Sequence, residues 1–231
     1  MLEILHQDEH IVAINKPNGL LVHRTSIATN TDTFAVQELR NQLNQHVYPI
    51  HRLDRKTSGV LLFALKSELV APLQAQFAES KVSKTYLAIL RGWTDDEGII
   101  DYPLTNDSGK TQEAVTSYKT LERTEITIPF GKHQTSRYSL VEAIPKTGRM
   151  HQLRKHFAHI LHPIIGDRPH GCNKQNKLFL EKWQMNTMLL HALALEFIHP
   201  VTMENKQLSA EINTEFVRML QALQFNYASS L

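Results

Sequence analysis

The stretch His51-Arg52-Leu53-Asp54-Arg55-Lys56-Thr57-Ser58-Gly59-Val60-Leu61-Leu62-Phe63-Ala64-Leu65 sets a polar turn directly before a seven-residue apolar run. A run of that length, bounded by turn residues, predicts a central strand buried on both faces. In the turn, Asp54 is one carboxylate among three cations, Arg52, Arg55 and Lys56. Nearby positive charge favours the charged form of an acid. Such an aspartate is either a nucleophile carried on a rigid scaffold or a turn residue bonding to the amides that follow. The order His-Arg-Leu-Asp is not a protein-kinase catalytic loop, because the Leu breaks that motif and no Gly-rich phosphate loop precedes it.

Outward from this strand the pattern predicts α+β. Leu2 to Leu5, Ile11 to Ile14 and Leu20 to Val22 read as short strands, with turn chemistry at Lys16-Pro17-Asn18-Gly19. Thr33 is placed to cap a helix through about Asn44, and Ser67 one through about Glu79. Tyr48 to His51 is extended, and Thr85 to Leu90, Ala114 to Leu121, Arg137 to Ile144 and Leu189 to Phe197 read as strands. Asp95 to Lys110 reads as an acidic loop, and Thr214 opens a C-terminal helix with Phe216, Val217, Leu220 and Leu223 on one face. Strands outnumber helices and connections are short, so a mixed, mostly antiparallel sheet is expected.

The chain has 231 residues, 42% hydrophobic and 21% charged. That is ordinary globular usage, which excludes a disordered, collagenous or coiled-coil chain. The net charge of +2 is too small to announce a polyanion partner, but the charges are segregated. From Lys146 to Lys177 stand seven basic residues, five histidines and a single acid, Asp167. A basic face of this kind fits a nucleic acid or a solvated surface. Cys172 is the only cysteine, so no internal disulfide and no Cys-rich metal site can form. No apolar run approaches a membrane span, and Glu3, Asp8 and Glu9 stand where a signal peptide needs cations, so a cytoplasmic protein with no membrane partner is expected.

Arg149 to Ile160 reads as an amphipathic helix, with Met150, Leu153, Phe157, Ile160 and Leu161 on its apolar stripe. Lys155, His151 and His159 fall on the far side, and His156 flanks the polar face. Arg154 sits at the margin of the buried face, where a cation needs a fixed carboxylate partner or must snorkel to the edge. His156, His159 and His162 recur every three residues, yet no Glu completes an H-E-x-x-H pattern and His162 precedes Pro163. No metal site is expected.

Taken together, these blocks resemble the pseudouridine synthases of the RluA family. The resemblance rests on His51-Arg52-Leu53-Asp54-x-x-Thr57-Ser58-Gly59, Lys84-x-Tyr86-x-Ala88-x-x-x-Gly92, and Thr147-Gly148-Arg149-x-His151-Gln152-Leu153-Arg154-x-His156. It extends through His162-Pro163-Ile164-x-Gly166-Asp167, Asn15-Lys16-Pro17-x-Gly19-Leu20-x-Val22-His23, Leu190-His191-Ala192 and His199-Pro200. Met1 to Leu5, Val22-His23-Arg24 and Pro169-His170-Gly171 resemble the branch that acts on tRNA at position 65.

The resemblance implies an RNA isomerase that breaks the N1–C1′ bond of a uridine, turns the base and joins C5 to C1′, with no cofactor and no metal. It implies one catalytic domain over residues 1–231 without an N-terminal S4 domain, a central RNA cleft, and a monomer acting on RNA, tRNA first. Asp54 is then the catalyst, Arg154 its partner, and Tyr86 the residue against the target base. Arg52 takes the space left by a flipped nucleotide and Leu153 floors the uracil. Arg149, His151 and Lys155 are substrate-binding candidates, with Lys174 and Lys177 as further phosphate contacts. Alternatives are a ribosomal RNA substrate, a catalytically silent RNA-binding protein of the same fold, and a histidine-metal phosphodiesterase.

Overall fold

The structure, a computed structural model, describes residues 1–23 and 33–227; Arg24, named above, lies outside them. Among the described residues the class is α+β, with five α-helices and mostly antiparallel strands. The chain divides into two compact units, Met1–Lys84 with Ala192–Glu211, and Thr85–His191 with Ile212–Leu231.

In the first unit, β1 (Glu3–Gln7) and β2 (Ile11–Lys16) form an antiparallel hairpin. Helix α1 (Ala35–Leu43) follows, with Phe34 rather than Thr33 at its N-cap and no side chain capping it. The short β3 (Tyr48–Pro49) and β2 both pair antiparallel with β4 (Ser58–Ala64), and all seven β4 residues are buried, as its unbroken apolar run requires. Ser67 does not cap α2 (Val70–Ala78); it opens a 3-10 turn, Ser67–Leu69, ahead of that helix. Ile11, Ala13, Val60, Leu62, Leu73 and Phe197 are part of this unit's core.

β5 (Ser83–Arg91) carries the chain into the second unit. There β6 (Glu97–Asp101), the β7 (Leu104–Thr105) and β8 (Thr111–Gln112) hairpin, β9 (Val115–Ile126) and β10 (Ser136–Pro145) follow. The antiparallel order is β5-β10-β9-β6. The segment read as an acidic loop therefore holds two short strands, β6 and β7, and β8 follows directly after it. The reason is that β6 buries only Ile100 fully, and the tip between β7 and β8 is built by Asn106, whose Oδ1 accepts from Ser108 N and Lys110 N. Helices α3 (Gln152–His159) and α4 (Asn173–Trp183) complete the run. α4 is absent from the sequence reading; it buries Gln175 and Phe179 under a mostly polar surface, with Leu180 exposed.

β11 (Leu190–Ile198) returns to the first unit, where β12 (Asn205–Ser209) pairs with it. α5 (Thr214–Ala222) belongs to the second unit and is capped by Asn213, whose Oδ1 accepts from Phe216 N at 2.9 Å. Its Phe216, Met219, Leu220 and Leu223 are buried with Leu87, Leu140 and Phe179. Burying each such side chain stabilises by about 1.5–3 kcal/mol.

Candidate active site

The Asp54 loop is fixed from three sides within the first unit. Thr57 N donates to the Asp54 carbonyl oxygen at 3.0 Å, so main chain closes the turn. Next, Gly59 has φ +107, and a Cβ there would run into the backbone carbonyl of Ala192 on β11. Only glycine fits both constraints. Gly59→Ala is expected to cost more than about 2 kcal/mol, read as a lowered denaturant midpoint; an unchanged midpoint would contradict the close approach.

The third tie is to the turn after β2. Gly19 N donates to Arg55 O at 2.8 Å, and Arg55 Nε returns a bond to Gly19 O at 2.9 Å. Lys16 is fully buried, and its ammonium donates to the carbonyls of Pro17 (2.9 Å), Leu20 (2.8 Å) and Arg55 (3.2 Å). Burial lowers its pKa to about 7, while the charge of Asp54 acts to raise it. Lys16 is thus a structural and electrostatic neighbour of the Asp54 loop that sequence reasoning placed only in a motif.

His51 begins the loop. Its Nε2 accepts from Leu62 N at 3.1 Å, and its ring stacks on Phe77 at 4.9 Å. Burial, and then the positive charge of Lys84, lower its pKa to about 3. Between pH 3 and the unfolded value near 6.5 the unfolded chain binds the extra proton, so stability must fall as pH drops through that window. The slope is up to about 1.4 kcal/mol per pH unit. His51→Gln, which keeps an acceptor, is expected to flatten this acid limb in pH-dependent unfolding; an unaltered limb would contradict it.

In the second unit, Tyr86 stands on β5 opposite Ala143 of β10, half-buried against a cluster that includes Leu153 and Phe157. Arg154 is 7% exposed and Asp167 1%, and they form a two-pronged pair: Nε to Oδ2 at 2.9 Å and Nη2 to Oδ1 at 2.7 Å. Asp167 is itself anchored by α4. Asn176 Nδ2 donates to Asp167 O at 2.7 Å, and Asn176 Oδ1 accepts from Gly166 N at 2.9 Å. The carboxylate that the helix geometry demanded for Arg154 includes Asp167, which sequence reasoning had not assigned. Its signal was present: it is the single acid among seven cations, directly after a glycine.

The start of α3 is pinned by Gln152, whose Oε1 accepts from Thr147 Oγ1 (2.7 Å) and Arg149 N (3.0 Å) and whose Nε2 donates to Val115 O (3.0 Å). His151 precedes it at φ 56 and meets His170 at 3.0 Å. Arg149 Nε donates to Glu113 O, and Lys155 Nζ to Thr105 O. Arg52 is exposed in the first unit, and Lys174 and Lys177 are exposed on α4. Three assignments of the helix stripe are corrected: Met150 and Leu161 are exposed, and His156 is buried. The helix ends before Leu161, which takes φ 67. His156 is accommodated inside by Thr116 Oγ1 at 2.9 Å and the Tyr102 carbonyl at 3.0 Å, and burial lowers its pKa. His159 stacks on Tyr102, and His162 donates to Arg91 O at 2.8 Å. Among the described residues no three His, Cys, Asp or Glu side chains are arranged to hold a metal. No helix among them is long and apolar enough to cross a membrane.

Residues 10–159, which include the Asp54 loop, Tyr86 and α3, match the family model described as RNA pseudouridylate synthase. The chain belongs to that family. A protein of Vibrio parahaemolyticus named tRNA pseudouridine synthase C is 47% identical, over 97% of this chain and 96% of that one. Its namesake in Vibrio vulnificus is 46% identical, over 100% of this chain and 98% of that one. Among solved structures, Human RNA Pseudouridylate Synthase Domain Containing 4 superposes with a TM-score of 0.73 at 28% identity, over 96% of this chain and 93% of that one. As a member of the RNA pseudouridylate synthase family, the chain is an isomerase whose substrate is RNA.

Proposed function

We propose that this pseudouridine synthase acts on tRNA, at position 65 in the acceptor and T-stem region. The observation that carries the tRNA reading is near full-length identity of 47% and 46% to two proteins named tRNA pseudouridine synthase C. It works as a monomer in the cytoplasm, as one catalytic domain, with neither metal nor cofactor.

The reaction conserves every atom of the nucleoside. The N1–C1′ bond breaks, the uracil turns, C5 bonds to C1′, the proton on C5 leaves to solvent and N1 gains one. Asp54 is the carboxylate that attacks the nucleotide, splitting a difficult exchange into two displacements. Support comes from a loop that main-chain bonds and the Lys16 ammonium hold in one place, a rigid mount for an attacking carboxylate. Tyr86 lies against the target base and assists proton removal at C5. Arg154, locked by Asp167, is the fixed cation of the reaction, and Leu153 supplies apolar surface under the uracil. The uridine is flipped from its stack, with Arg52 taking the vacated space. Arg149, His151 and Lys155 contact phosphates, which position RNA without reading sequence.

Incubation with unmodified tRNA and with ribosomal RNA fragments, followed by carbodiimide-dependent reverse-transcription mapping, tests the substrate. Pseudouridine is expected at tRNA position 65. Its appearance in the ribosomal fragments alone would overturn the tRNA reading.

A further inference from the structure

The chemistry proposed above leaves unused the proton shared by two histidines of the second unit. His151 Nδ1 and His170 Nε2 are 3.0 Å apart, with the rings edge-on at 5.1 Å between centroids. One ring therefore donates an N–H and the other accepts on a bare nitrogen. In the neutral pair each imidazole carries one proton, so one of the two outer nitrogens, His151 Nε2 or His170 Nδ1, has none. A bare nitrogen repels a phosphate oxygen. One added proton makes both outer nitrogens donors and leaves the inner hydrogen bond charge-assisted.

We propose that the His151–His170 pair takes up a proton as it meets an RNA phosphate, coupling RNA binding to pH. The RNA-isomerase reading supplies the ligand for this proposal.

The setting favours that coupling. The pair is fastened to the Arg154–Asp167 pair: His151 stands at the N-cap of α3, three residues before Arg154, and His170 N lies 3.4 Å from Asp167 Oδ1. Gly171 keeps the segment tight, because a Cβ there would strike the Asp167 carbonyl. The charges facing His170 are Asp167, Arg154, His151 and Lys155. Burial lowers its pKa, Asp167 acts to raise it, and Arg154, His151 and Lys155 lower it further. Burial is the largest of these causes, so His170 stays below its ordinary value among Arg154, His151 and Lys155 in the free protein. A phosphate brought beside them reverses the balance and raises the pair's affinity for a proton. By linkage, RNA must then bind more tightly as pH falls through the histidine range. Part of the affinity that phosphate contacts supply would thus be proton-dependent.

The test is calorimetric titration of the Asp54→Asn protein with an unmodified tRNA transcript near pH 6.5, in two buffers of different ionisation enthalpy. The difference in heat counts protons taken up on binding. The expected result is an uptake that falls by roughly half a proton or more in His170→Phe, with a shallower dependence of Kd on pH. His151→Gln is expected to act in the same direction and serves if the first variant folds poorly. Equal proton uptake in the parent and in either folded variant would overturn the proposal. Tritium release from the same transcript by the unaltered chain, read separately, tests the isomerase assignment and does not enter the proton count.

Discussion

Asp54→Asn is expected to abolish conversion of uridine to pseudouridine while leaving RNA binding within a few-fold of the unaltered chain. The amide is nearly the same size as the carboxylate but is not a nucleophile. The turn it occupies is closed by the Asp54 carbonyl oxygen and by the bonds of Arg55 with Gly19 and Lys16, none of which the substitution removes. A loss of more than about a thousandfold in single-turnover rate corresponds to about 4 kcal/mol of transition-state stabilisation. Fluorescence titration with tRNA checks binding, and a single-turnover time course checks the chemistry. A variant that still turns over at a tenth of the parent rate would remove Asp54 from the reaction.

Arg154→Ala is expected to be both inactive and markedly less stable. Asp167 would be left as a charge 1% exposed, having lost both guanidinium contacts. Removing one partner of a buried pair costs about 3–5 kcal/mol. For a chain of this length that lowers Tm by roughly 10 °C. Asp167→Ala should also lower Tm, because it removes two charge-assisted contacts from the buried Arg154. Calorimetry on the three proteins decides the matter. Equal Tm values, or full activity in Arg154→Ala, would contradict both the energetic and the catalytic assignment.

How much of this is legible in the sequence depends on the range of the interaction concerned. β4 and the Asp54 loop were readable because a continuous apolar run and turn residues are local signals, and burial of every β4 residue follows from them. β6 and β12 give no such signal: burial alternates along both, but Glu-Gly-Ile-Ile-Asp and Asn-Lys-Gln-Leu-Ser place an apolar side chain at only one inward position each, Ile100 and Leu208. α4 was hidden by its polar surface. Arg154 was correctly placed near the buried face, but its partner across 13 residues depends on Gly166 and Asn176 holding a loop, which no helical projection contains. His156 was misread because its burial is made tolerable by Thr116 and Tyr102, 40 and 54 residues away in sequence. Lys16 carries a similar lesson. The local pattern marks it only as a turn residue, and its burial depends on the three carbonyls that surround its ammonium.

The central claim is that this chain isomerises uridine in tRNA, breaking the N1–C1′ bond and releasing the C5 proton. Its most direct test is tritium release from unmodified tRNA labelled at C5 of uridine. Release that rises to one equivalent per tRNA and stops is the expected result, since one position is modified. No release from tRNA, or release from ribosomal RNA fragments alone, would contradict it.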